Sequence, residues 1–380
     1  MVATAASKFV GVDIGSTGVR GVQLSRHKRT GQYRITKAAS VDLPRGAVHN
    51  GVVTDQAAVV KALRQLWRKG RFSTRKVVIG LADGSVLTRQ VDLPWMPPDD
   101  FRAALRYQVA DALPVELDSV ELDYHLLGEI ERMDEHGQPV DVNRILIVAT
   151  NTEAVAAEAA VACKARLHPV VADTTAFALI RAACRGVVPD DDAVHAIADL
   201  GADQLTVAIH QGGQPRFVRT IANLGGETAT LGVATRLSVS ADDAEHIKRE
   251  CGLNGPAPVV APIAESSVFA DAVVTSTPGL NPRSAATVES LGGWATRVIA
   301  EVRNSLDYFQ ASDPTAPIVS LTITGRTALL AGMVERIATQ IPLPVKGLDP
   351  LLGLPASRRI TKRYSQDSRL VVAAGLAMGA

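Results

Sequence analysis

Residues 9–24 read FVGVDIGSTGVRGVQL, and residues 193–210 read AVHAIADLGADQLTVAIH. In each, a short apolar run ends on an aspartate, turns through small residues and resumes as a second apolar run, the pattern of a β-hairpin. The turn Asp13-Ile14-Gly15-Ser16-Thr17-Gly18-Val19-Arg20 exposes backbone N–H groups and two hydroxyls, which suits the terminal phosphates of a nucleotide. An aspartate at the strand end suits Mg²⁺ held through its own water shell, and Arg20 suits a phosphate as a two-pronged donor. One such hairpin is equally a plain turn. Two of them, about 190 residues apart with Asp199 and Gly201 repeating Asp13 and Gly15, are expected to clamp phosphates and metal from opposite sides of a cleft.

Around the first hairpin the pattern predicts a third strand over Tyr33 to Val41, a helix from Gln56 to about Lys69 and a strand over Lys76 to Leu81. Around the second it predicts strands His195 to Leu200, Leu205 to His210 and Pro215 to Thr220. Three strands against a glycine turn occur twice, an internal duplication of fold without a duplication of sequence. Between them lie a helix (Pro98 to Leu113), two strands (Val120 to Leu127, Arg144 to Ala149) and a helix (Glu153 to Arg166), read as an inset. A long helix from about Ala285 to Phe309, a strand Ile318 to Thr324, a helix Thr327 to Ile341 and a last helix from about Ser368 complete the chain.

Three further stretches offer nucleotide contacts. Asn223-Leu224-Gly225-Gly226 leads into a helix, where glycines permit close backbone approach. Glu245 and Lys248 share a helix face at i, i+3, which also describes a solvated ion pair. Thr322-Ile323-Thr324-Gly325-Arg326 runs a strand into a glycine turn, a floor for a base.

Composition sets the limits. The 380 residues exceed what one core usually holds, about 250 to 300, so two lobes are expected. Forty Lys and Arg against 39 Asp and Glu give no overall electrostatic case for nucleic acid or an anionic membrane, and leave local basic patches open. Cys163, Cys184 and Cys251 lack metal-site spacing and read as reduced thiols. Neither a signal peptide nor a membrane-spanning helix is expected.

The order of these elements resembles the actin, Hsp70 and sugar-kinase superfamily. Within it the sequence resembles the PilM family of type IV pilus assembly. That likeness rests on LPRGAVHNGVVTD (43–55), KVVIGLADGSVLTRQVDLPWMP (76–97), ALRYQVADALPVELDSVELDYHLLG (104–128), ADTTAFALIRA (172–182), AEHIKRE (244–250), RNSLDYFQ (303–310) and VVAAGLAMG (371–379). The resemblance implies an α/β, actin-like (ribonuclease H-like) two-lobe ATPase fold. Its expected parts are a lobe 1 core (1–90), an α+β inset (91–172), a connector helix (173–192), a lobe 2 core (193–240 and 284–357), a small second inset (241–283) and a C-terminal helix returning to lobe 1 (358–380).

It also implies ATP and Mg²⁺ as ligands. Gly15, Ser16, Thr17, Arg20, Gly201 and Ala202 would lie on the phosphates, and Asp13 and Asp199 near the metal. Gly225 and Gly226 would lie by the ribose phosphate, Glu245 and Lys248 by the adenosine, and Gly325 and Arg326 by the base. Arg20 departs from the commoner Lys, and Arg326 replaces the second glycine of the adenosine loop. For hydrolysis the first candidate is Asp173, with Asp203 next, the alternative for Asp173 being an N-cap of the helix that follows; at most slow turnover is expected. The implied partner is the cytoplasmic N-terminal tail of a PilN-like single-pass membrane protein, received beside the inset where Trp95, Met96 and Phe101 follow a Leu-Pro break. Burial of those three against lobe 1 is the alternative. The pilus assembly ATPases are further candidate partners; nucleic acid and direct membrane insertion are not expected. The implied location is the inner face of the cytoplasmic membrane, reached through the partner. The competing readings are an FtsA-like division protein, against which the sequence shows no terminal amphipathic helix, and a sugar kinase, against which the inset shows no Asn/Asp-rich sugar site.

Overall fold

The computed structural model describes residues 4–6, 9–82, 86–110, 113, 116–133, 136–185, 192–255, 282–365 and 367–379. In chain order the first lobe opens with strands β1 (Thr4–Ala6), β2 (Val10–Gly15), β3 (Gly18–His27), β4 (Tyr33–Asp42), β5 (Val48–His49) and β6 (Val52–Val53), then helix α1 (Gln56–Gly70) and β7 (Lys76–Leu81). Next come β8 (Leu87–Pro94), α2 (Pro98–Gln108), β9 (Val120–Met133) and β10 (Pro139–Asn151), followed by α3 (Thr152–Lys164), β11 (His168–Thr174) and α4 (Thr175–Ala183). The second lobe has β12 (Val194–Leu200), β13 (Gln204–Gln211), β14 (Gln214–Ala222), α5 (Gly226–Leu237), α6 (Ala241–Cys251), α7 (Pro282–Ser312), β15 (Ile318–Thr324), α8 (Met333–Gln340) and β16 (Val345–Gly347). The chain closes with α9 (Arg358–Tyr364) and α10 (Val371–Met378).

The main sheet of lobe 1 runs β4-β3-β2-β7-β11 and that of lobe 2 runs β14-β13-β12-β15-β16. In both, the first two pairings are antiparallel and the last two parallel. The duplication expected from the hairpins is therefore a duplication of whole sheets, and the fold is α/β and actin-like.

Burial explains why β2 carries no polar alternation. Val10, Val12 and Ile14 point at α1 and α3, packing on Val59, Leu63, Leu66 and Val161. Gly11 points the other way, where any side chain would meet the α10 backbone at Ala373. A strand covered on both faces reads as continuously apolar. In lobe 2, Leu205, Val207 and Leu321 pack on α7 through Leu291, Trp294 and Val298. The far face of that sheet, at Ile197 and Ala208, meets Ala176 and Ile180 of α4, so α4 is the apolar joint between lobes.

The inset is narrower than the expected 91–172. Its sheet, β8-β10-β9, spans 87–151 and packs on α2 through Phe101, Leu105, Val109, Ile145 and Ile147. Helix α3 and strand β11, assigned to the inset by sequence, belong to lobe 1: Val161 joins its core and β11 pairs with β7. The inset also touches lobe 2, where Thr88 Oγ1 donates to the Val218 carbonyl at 3.2 Å and His125 meets Gln214. The second inset retains only α6 among the described residues, since 256–281 lie outside them. No helix of the described residues is long and apolar enough to cross a membrane.

Candidate functional site

Strand register brings the two aspartates together. Asp13 pairs with Arg20 across β2 and β3, and Asp199 pairs with Thr206 across β12 and β13, so each ends the central strand of its sheet. The two strand ends face one another across the cleft. An inner chamber of about 110 Å³ is lined by Asp13, Gly15, Arg20, Asp199, Gly201 and Gly325, among others. Outside it a chamber of about 960 Å³ is lined by Gly226, Glu227, Glu245, Lys248, Arg249 and Leu330, with others. Ser16, Thr17, Ala202 and Arg326 line both. Gly225 lines neither.

Arg20 is buried between the hairpins. Its Nη1 donates to Asp13 Oδ2 at 3.2 Å and its Nη2 to Thr17 Oγ1 at 2.6 Å. Burial raises the Asp13 carboxyl above its usual range, and Arg20 offsets part of that. Asp199, enclosed by protein and faced by Asp13, is pushed up to about 7, mainly by desolvation and then by the like charge, with Arg20 opposing. Two carboxylates with one guanidinium between them are short of positive charge, which is the electrostatic condition for holding a cation.

The outer chamber carries mixed charge: Arg249 pairs with Glu245 at 2.6 Å and Arg369 with Asp42 at 3.0 Å. Arg326 opens a single 3₁₀ turn (Arg326–Leu329), where burial and then Arg249 and Arg369 lower its pKa, with Glu245 opposing. Among the described residues Arg326 forms no ion pair, which makes it the guanidinium of this chamber best suited to meet an anion.

Glu245 and Lys248 line this chamber but are occupied. Lys248 is 7% exposed, and its ammonium donates to Gly226 O at 2.9 Å, Thr230 Oγ1 at 2.7 Å and Glu245 at 2.5 Å, which uses all three protons. Burial lowers its pKa and Glu245 resists. For Glu245, burial acts upward, yet Lys248, Thr230 and Arg249 together pull the carboxyl down to about 2. The pair staples α6 to the first turn of α5.

Gly225 and Gly226 work through the second hairpin. The N–H groups of Leu224 and Gly225 donate to Asp203 O, that of Gly226 to Gly201 O and that of Glu227 to Ala202 O. Any side chain on Gly225 would meet the Ala202 carbonyl, and one on Gly226 the Thr327 hydroxyl. The glycines therefore seat α5 on the hairpin, and Trp294 of α7 anchors the approach by donating from Nε1 to Leu224 O at 3.2 Å. At Gly325, with φ of 93°, a side chain would strike Asp199 and the Leu200 carbonyl.

Two sequence expectations are corrected. Asp173 lines neither chamber: it ends β11 and ion-pairs with Arg181, which also donates from Nε to the Gly375 carbonyl at 3.1 Å. The N-cap is its neighbour Thr174, whose Oγ1 accepts from Phe177 N at 3.1 Å. Asp203, the second candidate, lines both chambers, and its Oδ2 also accepts from Asn50 N at 3.0 Å across the lobes. Of the three groove residues, Phe101 is only 3% exposed and stacks on Tyr124 at 4.8 Å inside the inset core, Met96 packs on that core, and Trp95 alone is open at 50%.

Sequence reasoning passed over Gln204. It lines the inner chamber, its Nε2 is held by the Ala82 carbonyl, and its buried Oε1 has no partner. The available signal was a glutamine placed directly in the second hairpin. Arg45 and Asn50 were also missed: Arg45 crosses the cleft mouth to Glu227 and to Asp242 at 3.3 Å, and Asn50 Nδ2 donates to Asn223 Oδ1 at 3.0 Å.

The family model of "Type IV pilus assembly protein PilM" matches residues 11–268 and 282–380. Among solved structures, the chain is similar to that titled "PilM-PilN type IV pilus biogenesis complex", with 21% identity, 98% of each chain covered and a TM-score of 0.77. It is also similar to the ethanolamine utilization protein EutJ from Carboxydothermus hydrogenoformans, with 14% identity, 98% and 89% coverage and a TM-score of 0.51. A third is the nucleotide-free diol dehydratase-reactivating factor, with 11% identity, 98% and 99% coverage and a TM-score of 0.50. At these identities the structural likeness concerns the fold.

Proposed function

The chain belongs to the PilM family of type IV pilus assembly proteins, and from that premise we propose that it binds ATP with Mg²⁺ and, at the inner face of the cytoplasmic membrane, the cytoplasmic tail of a PilN-like membrane protein. The observation that carries the nucleotide reading is the charge pattern of the cleft. Paired carboxylates, Asp13 and Asp199, lie at its floor, and Arg326, which forms no ion pair among the described residues, lines its outer chamber beside the ion-paired Arg249 and Arg369.

The residues fit the ligand. About 960 Å³ is within the usual range of ligand pockets, roughly 300 to 1,000 Å³. Asp13 and Asp199 would hold hydrated Mg²⁺, while the Gly15–Thr17 and Gly201–Ala202 hairpins would cradle the phosphates. Bound metal would supply charge neutralisation along the phosphate chain. Arg20 would exchange Asp13 for a phosphate oxygen, and Arg326 would lie against the base or its ribose. For hydrolysis, Gln204 replaces Asp173: its free Oε1 is the acceptor placed to orient a water. Asp203 lines the same chamber beside it; turnover would be slow, and the nucleotide would act chiefly on lobe geometry.

The partner reading follows from the family and from charge. Residues 86–151 contain thirteen Asp and Glu against five Lys and Arg, which suits a tail beginning with a free amine. Trp95 offers an exposed anchor, and β11 ends the lobe 1 sheet with Val170 and Val171 exposed, an edge open to an extended peptide. Isothermal titration of the full chain with a synthetic tail peptide, with and without Mg-ATP, tests both claims. Micromolar binding of each is expected, with tail binding weakened by Trp95→Ala. A folded protein that binds neither would overturn the reading.

A further inference from the structure

The near-zero net charge conceals a segregation. From Arg26 to Lys76 there are thirteen Lys and Arg against only Asp42 and Asp55, while the inset is strongly acidic. Arg34 and Lys37 of the basic region lie on β4 at one edge of the lobe 1 sheet, while its Arg64 and Arg75 reach α3 and the turn before β11 on the other side. β4 forms one edge, and the inset joins the chain between β7 and β11 at the other.

Tertiary structure concentrates the basic edge further. Ile35 of β4 donates from N to the Pro355 carbonyl at 2.9 Å and bridges to Ala356, pinning the start of α9 to the sheet edge. Helix α9 buries Ile360 and Tyr364 and turns Arg358, Arg359, Lys362 and Arg363 outward. Beside it, Lys37 donates to the Arg71 carbonyl, which brings in the basic end of α1. Arg363 depresses the Lys69 ammonium, after burial, so the α9 and α1 cations share one field. Among the described residues none of the four α9 cations forms an ion pair; the nearby carboxylates Asp42 and Asp367 are both taken by Arg369.

We propose that this edge, formed by α9, β4 and the end of α1, is a contact surface for the phosphate headgroups of an anionic bilayer. The inference rests on the membrane-protein partner proposed above, which would bring the chain beside a bilayer. Its orientation would then follow from charge, basic edge toward the lipid and acidic inset away. Nucleic acid is the less fitting occupant, because the aromatic rings here are already engaged, Trp67 and Phe72 at the end of α1 with each other at 5.0 Å. Tyr364 is buried, and Tyr33 lies under the Arg26 guanidinium with its hydroxyl turned to the Met378 carbonyl.

Co-flotation of the full chain, free of nucleotide and tail peptide, with vesicles of phosphatidylglycerol and phosphatidylcholine provides the test. Binding is expected to the mixed vesicles, not to phosphatidylcholine alone, and to fall as NaCl is raised. R358Q/R359Q/K362Q/R363Q is expected to weaken it by about two orders of magnitude or more, at about fivefold per charge. Should the fourfold variant not fold, R358Q/R359Q and the salt dependence of the native chain carry the same test. Inorganic phosphate should compete poorly, since a planar array of charges is what the edge matches; efficient competition would assign a free-phosphate site and overturn the proposal. So would equal binding by the variant, equal binding to neutral vesicles, or preferential binding of duplex DNA. Titrating the variant with Mg-ATP and tail peptide separates the two claims: those affinities should be unchanged, and their absence in the native chain counts against the function, not against the lipid contact.

Discussion

At the scale of single residues, Asp13 and Asp199 were legible because a carboxylate closing an apolar strand is chemically out of place unless something there needs it. What sequence could not show is that Arg20 lies between Asp13 and Thr17, or that Asp199 sits where its acid is half-ionised near neutral pH. Its folded value of about 7 lies above its ordinary 3.8, so the buried acid costs stability as pH rises through that range. Asp199→Asn should therefore raise the urea midpoint of the nucleotide-free protein at pH 7 while weakening Mg-dependent ATP binding about tenfold, the loss of one charge-assisted contact; calorimetry with and without EDTA measures the binding. Glu245 gives the opposite case. Its folded value of about 2 lies below its ordinary 4.5, so the unfolded chain holds more protons between those limits. Its contribution is complete above pH 4.5 and is lost as pH falls toward 2. Glu245→Gln is expected to destabilise the protein at pH 7 and to flatten that part of the acid slope, as read from urea midpoints across pH. Asp173 was misassigned because a strand end before a helix looks like a cap or a catalytic acid until its partner is known, and Arg181 lies eight residues on.

Among elements, those with apolar periodicity were readable and those at edges were not. Strand β11 has an exposed first half and a proline at 169, so it shows no buried pattern, and only its pairing with β7 makes it a strand. The helix expected over Thr327 to Ile341 is broken into a 3₁₀ turn and α8. Thr327 Oγ1 donates to Gly201 O at 2.7 Å, and Gly332 takes a φ of 85°. This break ties the Gly325 turn to the second hairpin. Gly226→Ala would drive a methyl into Thr327 at that junction, with an expected loss of about 1 to 3 kcal/mol by urea denaturation and weaker nucleotide binding. A preserved midpoint would show that α5 can retreat from the hairpin.

For the whole molecule, the two lobes meet at the apolar joint of α4 and at the polar clasp of Arg45 and Asn50. A ligand held by both lobes stabilises their closed arrangement, so Mg-ATP at about 100 times its Kd should add about 2.7 kcal/mol to unfolding. Ile180→Ala opens a cavity in the joint and should cost roughly 2 to 5 kcal/mol, lowering the thermal midpoint. The sequence by itself determined the doubled hairpin, the two-lobe α/β class and the family likeness, because strands buried on both faces and turns that must carry glycine leave local marks. Tertiary structure alone decided which residues meet across the cleft, where the inset ends, that Gln204 faces the inner chamber and that α9 joins the β4 edge. Those facts depend on the packing of segments distant in the chain, and a side chain carries no local record of the partner that packing brings to it.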